Sequence, residues 1–393
     1  MRGGDARFLA SGAIALAVAM GVGRFAYTPL IPIMERDAGL GVAAAGALAT
    51  ANLFGYLVGA SLAMHPIAQG LRLAITRWSL AGVVVTTALM AGPHALWLPL
   101  RFVTGVCSGF VLVFASSIVL ERAAKARRPT WPPLFFSGVG LGIAFSGIAV
   151  PWLAAFGGSR GAWAGIAIVS ALALLTTGWW FSEDAPAAQI AEAGIDAPLP
   201  RHQTTFAWLL AVYTAEAFAY IIPATFLVAI IAKTPGLSHY AALSWVFVGL
   251  AAAFATFGWI PAAAQLGKVR ALALALGVQA VGLAAPVFWQ SAIAVIVAAV
   301  ALGGTFIAIT LFAAGLGRDI FPRQTSAAVS RLTVLYSLGQ IVGPIVATQL
   351  ALRFGSYRPA LLAAAGIAAI ATVTTLIAIR EPQSAHAAWE GAK

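Results

Sequence analysis

Residues Phe8–Met34 read FLASGAIALAVAMGVGRFAYTPLIPIM, an unbroken apolar stretch with one charge, Arg24. A bilayer-spanning helix needs about 20 such residues, because in lipid every backbone polar group must be bonded within its own segment. Five further stretches follow in the first half, at Val42–Met64, Leu73–Ala91, Leu96–Leu120, Leu134–Phe156 and Gly161–Phe181. Six more occupy the second half, at Phe206–Ala232, Ala241–Ala264, Val269–Trp289, Ala292–Leu316, Ala327–Leu352 and Tyr357–Ile379. Twelve spans divided six and six predict an all-α integral membrane protein embedded in a lipid bilayer.

Composition leads to the same class. The chain of 393 residues is 61% hydrophobic and 9% charged, against roughly 25% charged in soluble domains. The forty glycines suit a membrane bundle, where small residues let helices approach closely. The net charge of +11 follows topology rather than a nucleic-acid partner. Of the 23 Lys and Arg, fifteen fall on the side of the termini, including Arg72, Arg122, Lys125 and Lys268. Five (Arg36, Arg160, Lys233, Arg353 and Arg358) fall on the other side, and Arg24, Arg101 and Arg331 within spans. By the positive-inside rule both termini are expected in the cytoplasm. The first apolar stretch is too long for a signal-peptide core and reads as a retained anchor.

Enzymatic chemistry finds no constellation here. Cys107 is the one cysteine, which excludes an intramolecular disulfide and a thiolate metal site. The five His fall at helix ends, in loops or in the tail, and no Walker loop or GxSxG elbow occurs. The expectation is a non-enzyme with no cofactor and no metal.

The segment Ser182–Thr205 breaks the apolar pattern with Glu183, Asp184, Glu192, Asp196 and three prolines. It divides the chain into a first bundle (1–181), a cytoplasmic linker (182–205), a second bundle (206–379) and a tail (380–393). The bundles read as a diverged repeat. Phe25-Ala26-Tyr27 recurs as Phe218-Ala219-Tyr220, and Pro151 maps onto Pro344, both at an offset of 193. Two six-helix halves related by an axis along the membrane normal are a transporter arrangement.

Charges inside the spans carry the functional signal. Arg24 and Glu216 sit near the bilayer centre and Arg101 toward the outer end of span four; each costs on the order of 3 kcal/mol facing lipid. They are expected to face a wet cavity or one another. Helical spacing gathers polar neighbours around them: Tyr27 and Thr28 beside Arg24, Tyr213 and Tyr220 beside Glu216, Thr104 and Ser108 beside Arg101. Three roles compete for Glu216: a proton carrier, since loss of water favours a carboxyl's neutral form, a receptor for a cationic substrate group, or a structural partner of Arg24 or Arg101. Arg24 is either a packing anchor or a substrate contact. Gln340, an amide inside span eleven, needs a polar partner and is expected to line the cavity.

GVGRFAYTPLIPIM, from Gly21 to Met34, resembles the first helix of the YbfB/YjiJ-type group of the major facilitator superfamily. LRFVTGVCSGF from Leu100, GVGLGIAFSGI from Gly138, GGTF at Gly303–Phe306 and GQIVGP at Gly339–Pro344 extend the resemblance over essentially the whole chain. It implies a twelve-helix secondary transporter of a bacterial inner membrane, working by alternating access. By the same resemblance Arg101 assists proton coupling, and Thr305 joins the cavity. Gly138, Gly142, Gly147, Gly339, Gly343 and Pro344 form the gating hinges, or serve simply as close-packing sites. The loop after span two keeps Arg72 without the usual Asp, and the loop after span eight keeps Lys268 and Arg270 without theirs. The gate ion pairs of typical members are therefore expected to be absent or replaced.

The combined reading is a proton-coupled transporter of a small organic solute, functional as a monomer, with a cavity lined by Arg24, Tyr27, Thr28, Arg101, Glu216, Tyr220, Thr305 and Gln340. One alternative is a proton antiporter exporting hydrophobic or cationic drugs. Another, from a different class, is a non-transporting membrane sensor or channel.

Overall fold

The computed structural model describes residues 3–177, 181–182, 200–322 and 324–380. The expected tail and most of the expected linker lie outside the described residues. Within them are twelve long helices: α1 (Gly4–Ala38), α2 (Val42–Leu62), α3 (Arg72–Leu89), α4 (Trp97–Lys125), α5 (131–156), α6 (159–177), α7 (Pro200–Ala232), α8 (Ala241–Leu266), α9 (Lys268–Phe288), α10 (Ala292–Ile320), α11 (Thr325–Phe354) and α12 (Arg358–Ala378). With an even number of crossings, both chain ends lie on one face, called here the terminal face. Helix α7 begins inside the stretch read as linker, because hydropathy marks only the part of a helix that meets lipid. Pro200 suits its first turn, where no N–H is needed.

Helices α5 and α6 run together through a kink at Gly157 and Gly158. Gly158 takes φ 60°, a left-handed conformation that glycine adopts without steric cost. There the backbone N–H of Ser159 donates to Asp37 Oδ2 at 2.9 Å, tying the end of α1 to the start of α6.

The two halves share a common spacing of helices. Helices α2, α3, α4 and α5 start 199, 196, 195 and 194 residues before α8, α9, α10 and α11. Each half carries the same clamp at the terminal face. Arg72 at the start of α3 holds Glu121 near the end of α4 with two hydrogen bonds of 2.7 and 2.8 Å. Lys268 at the start of α9 pairs with Asp319 at the end of α10. The loop cations that lack a neighbouring Asp thus find a carboxylate on the next helix, inside their own half.

Three seams join the halves. In one, Gly140 of α5 lies against Gly249 and Ala253 of α8, where a Cβ would strike backbone; nearby, Trp245 Nε1 donates to Ser146 Oγ at 3.1 Å. In another, α2 meets α11 from Gly46 against Thr348 to Met64 beside Ser330. The third runs between α1 and α7 toward the face opposite the termini. There Thr28 Oγ1 donates to the Ala224 carbonyl at 2.6 Å, and Lys233 Nζ meets Glu35 Oε1 at 2.9 Å. Residues 18–31 of α1 and 219–229 of α7 are buried on every side. The polar residues they carry therefore face protein rather than lipid.

Candidate functional site: a polar core between the halves

The centre of α1 is a π-helix over Ala17–Phe25, a wider turn often found at functional sites because it frees backbone carbonyls. Glycine makes room for it. Gly21 lies against Gly142 of α5 so closely that a Cβ on either would overlap the other's backbone. Neighbouring helices bond the carbonyls of this segment. Ser108 Oγ donates to Ala19 O at 2.7 Å. Arg101 Nη1 and Asn52 Nδ2 both donate to Gly23 O, at 2.9 and 3.4 Å. Arg101 Nη2 reaches Arg24 O at 3.5 Å, and its guanidinium lies 4.6 Å from the centre of the Tyr27 ring.

Held this way, Arg24 projects across the seam. Its Nη2 donates to the Tyr220 hydroxyl of α7 at 3.1 Å, and Gln340 Nε2 of α11 donates to the same oxygen. The guanidinium lies 5.2 and 5.0 Å from the rings of Phe25 and Tyr56, distances suited to cation–π attraction. Nε of Arg24 is buried without a hydrogen bond, as is Nε of Arg101. Among the described residues neither guanidinium meets a carboxylate. A cavity of about 20 Å³, room for a single water, touches both arginines, Tyr27, Thr28 and Asn52.

Glu216 lies one turn closer to the terminal face on α7 and is fully buried. It pairs with neither arginine. Gln279 Nε2 of α9 donates to its Oε1 at 3.3 Å, while Oε2 lacks a hydrogen bond of good geometry. The Tyr336 phenol of α11 stands within reach of both the Glu216 carboxyl and the Tyr220 hydroxyl. A chain of polar groups thus leads from Glu216 through Tyr336 and Tyr220 to Arg24. Aromatic rings line it. Tyr220 stacks on Phe306 at 5.6 Å with planes 1° apart and on Tyr336 at 5.9 Å, and Tyr336 stacks on Tyr213 at 4.2 Å.

The structure therefore gathers Arg24, Tyr220 and Gln340 in one cluster, with Glu216 a turn away. Arg101 stands behind Arg24 as a support for its backbone. Tyr27 turns from the seam, donating to Ala45 O at 3.0 Å, and Thr28 ties α1 to α7. Thr305 is buried with its hydroxyl donated to Ala301 O of its own helix at 2.6 Å. The six expected hinge positions all lie in helix interiors. Gly138 and Gly142 pack on α1, Gly147 on α8, and Gly339 and Gly343 on α7, beside Pro344 within α11. Sequence reasoning passed over Asn52, Tyr56, Gln279 and Tyr336. The argument that singled out Gln340 applies equally to the lone amides Asn52 and Gln279, and Tyr336 lies one turn from Gln340.

Three solved structures share this architecture. The D-xylose–proton symporter superposes with a TM-score of 0.74 at 14% identity, over 96% of this chain and 99% of that one. A mutant of the nucleoside transporter NupG gives 0.72 at 12% identity, over 95% and 100%. A bacterial homologue of the human lysosomal transporter Spinster, inward-facing and unoccupied, gives 0.75 at 17% identity, over 98% of each chain. At these identities the likeness shows the fold alone. No curated protein matches the sequence. The sequence profile of one family, described as the uncharacterised MFS-type transporter YbfB, matches residues 16–376, and the chain belongs to that family of major facilitator transporters.

Proposed function

We propose that the protein is a proton-coupled secondary transporter moving a small organic anion through the polar core by alternating access. It would sit in the bacterial inner membrane with both termini in the cytoplasm. One observation carries this reading: a fully buried carboxyl, without a cation, stands one turn from the phenol that closes the two halves on Arg24. An ionised carboxyl acts only as an acceptor, whereas a protonated one also donates. Proton binding at Glu216 therefore reverses the hydrogen-bond preference of Tyr336, then of Tyr220, and loosens the grip on Arg24. Arg24 becomes available to a substrate anion as the halves separate. A single ligand-filled state that carries both proton and anion couples the two fluxes, since each ligand shifts the equilibrium only by its differential affinity for the two states.

Export of lipophilic cations is the weaker alternative, because two buried guanidiniums share the core with one carboxyl. The test is transport in proteoliposomes across an imposed pH gradient, with a panel of small carboxylates, polyols and amines. The expected result is pH-driven accumulation of a carboxylate, lost in Glu216→Gln, with exchange of the same solute retained. Undiminished pH-driven accumulation in Glu216→Gln removes Glu216 from the coupling.

A further inference from the structure

The geometry points to a substrate class: we infer that the core binds an aromatic carboxylate, its carboxyl on Arg24 and its ring in the stack now filled by Tyr220. This deepens the transport reading and rests on it. Arg24 has an unmet buried N–H, one bond to a neutral phenol and no carboxylate within ion-pair distance among the described residues. A buried cation in that position lacks its counter-charge, and a planar, bidentate carboxylate matches a guanidinium fork.

The shape of the site comes from Tyr220. Its ring stacks with those of Phe306 and Tyr336, with planes 1° and 19° apart. Its oxygen receives hydrogen bonds from Arg24 and Gln340. A flat ring with an oxygen at its tip thus already occupies the position between the halves. A ligand of the same outline, with a charged tip, replaces the neutral phenol as acceptor when the seam opens. Phe25 and Tyr56, against the guanidinium, extend the apolar lining around that tip. An aliphatic acid of equal charge gains the Arg24 contact and forfeits stacking with both rings.

The matched probes are benzoate and cyclohexanecarboxylate, equal in charge and carbon number and differing in planarity, with neutral benzamide as the charge control. Binding to the detergent-purified full chain is measured by calorimetry and by thermal shift, since a native-state ligand raises Tm by mass action. Benzoate is expected to bind about tenfold tighter than cyclohexanecarboxylate, the scale of one or two aromatic contacts, and benzamide not measurably. Phe306→Leu is expected to erase the preference while keeping both acids bound, and Arg24→Gln to lose both. Should Arg24→Gln fail to fold, the wild-type comparison and Phe306→Leu still decide. Equal binding of the two acids overturns the aromatic slot while organic-anion transport stands. Binding of neither acid overturns the inference. A pH-driven flux of some other carboxylate, lost in Glu216→Gln, then preserves the transport reading, and absence of any such flux removes it too.

Discussion

The two halves of the core share one order of helices and hold different charges. The first half presents donors: two guanidiniums and an amide, fixed to the backbone of a π-helical segment. The second presents a carboxyl, two amides that donate to Glu216 and Tyr220, and a stack of tyrosines on α7 and α11. At the terminal face the halves agree, with Arg72–Glu121 and Lys268–Asp319 in equivalent places. The comparison teaches that the halves match where helices are clamped and differ around Arg24 and Glu216, where we place ligand and proton. In the proposed cycle the first half supplies a fixed charge, and the second, with its phenols, supplies the response.

The largest effects should come from exchanging that polarity. Arg24→Gln is expected to weaken carboxylate binding about a hundredfold, as for loss of a buried charged hydrogen bond. Glu216→Gln should leave binding within a few-fold and abolish pH-driven accumulation. The split between a binding assay and a flux assay checks both, and similar behaviour of the two variants would break the comparison. Tyr336→Phe removes the middle of the polar chain and should uncouple proton from solute movement while both ligands still bind.

Next comes the support of the π segment. Arg101→Leu removes this donor from the Arg24 carbonyl, leaves the Gly23 carbonyl with Asn52, and is expected to cost about 3 kcal/mol. That loss is measurable as reduced thermal stability in detergent, and the whole N-terminal half should show it. The equivalent clamps should differ in turn. Arg72 is 3% exposed and doubly bonded, whereas Lys268 is 39% exposed. Arg72→Gln should therefore cost about 2 kcal/mol and Lys268→Gln less than about 1 kcal/mol. The smallest effect belongs to Lys233→Gln at the far end of the α1–α7 seam. Its exposed pair with Glu35 is worth under about 1 kcal/mol, so the balance between the two access states should shift less than about fivefold, and less again at high salt. Distance measurements between labels on α1 and α7 read that shift.

Much of this was legible from hydropathy. The twelve spans and the interior positions of Arg24 and Glu216 follow from the cost of charge in lipid. Tyr220 follows from its place one turn beyond Glu216. The partners of these charges were not legible, because contacts between helices depend on rotation and depth that a pattern along one chain leaves free. Arg101 shows the limit. Its spacing with Thr104 and Ser108 marks an inward face, yet its bonds to the Gly23 and Arg24 carbonyls fall on the π-helical part of α1. A change of helical register carries no hydropathy signal. Asn52 and Gln279 were readable by the logic applied to Gln340, and Thr305 was placed by a motif whose hydroxyl turns onto its own helix.

The π segment also fixes which residues oppose one another. By the sequence repeat of 193, Arg24 corresponds to Ala217, yet it bonds to Tyr220, 196 positions on. A π segment of this kind is what a single inserted residue leaves inside an α-helix, and taking that residue out turns the helix on one side of it by about 100° relative to the other. In evolutionary terms, one codon gained or lost in Ala17–Phe25 would re-aim the arginine away from Tyr220, with every helix still in place.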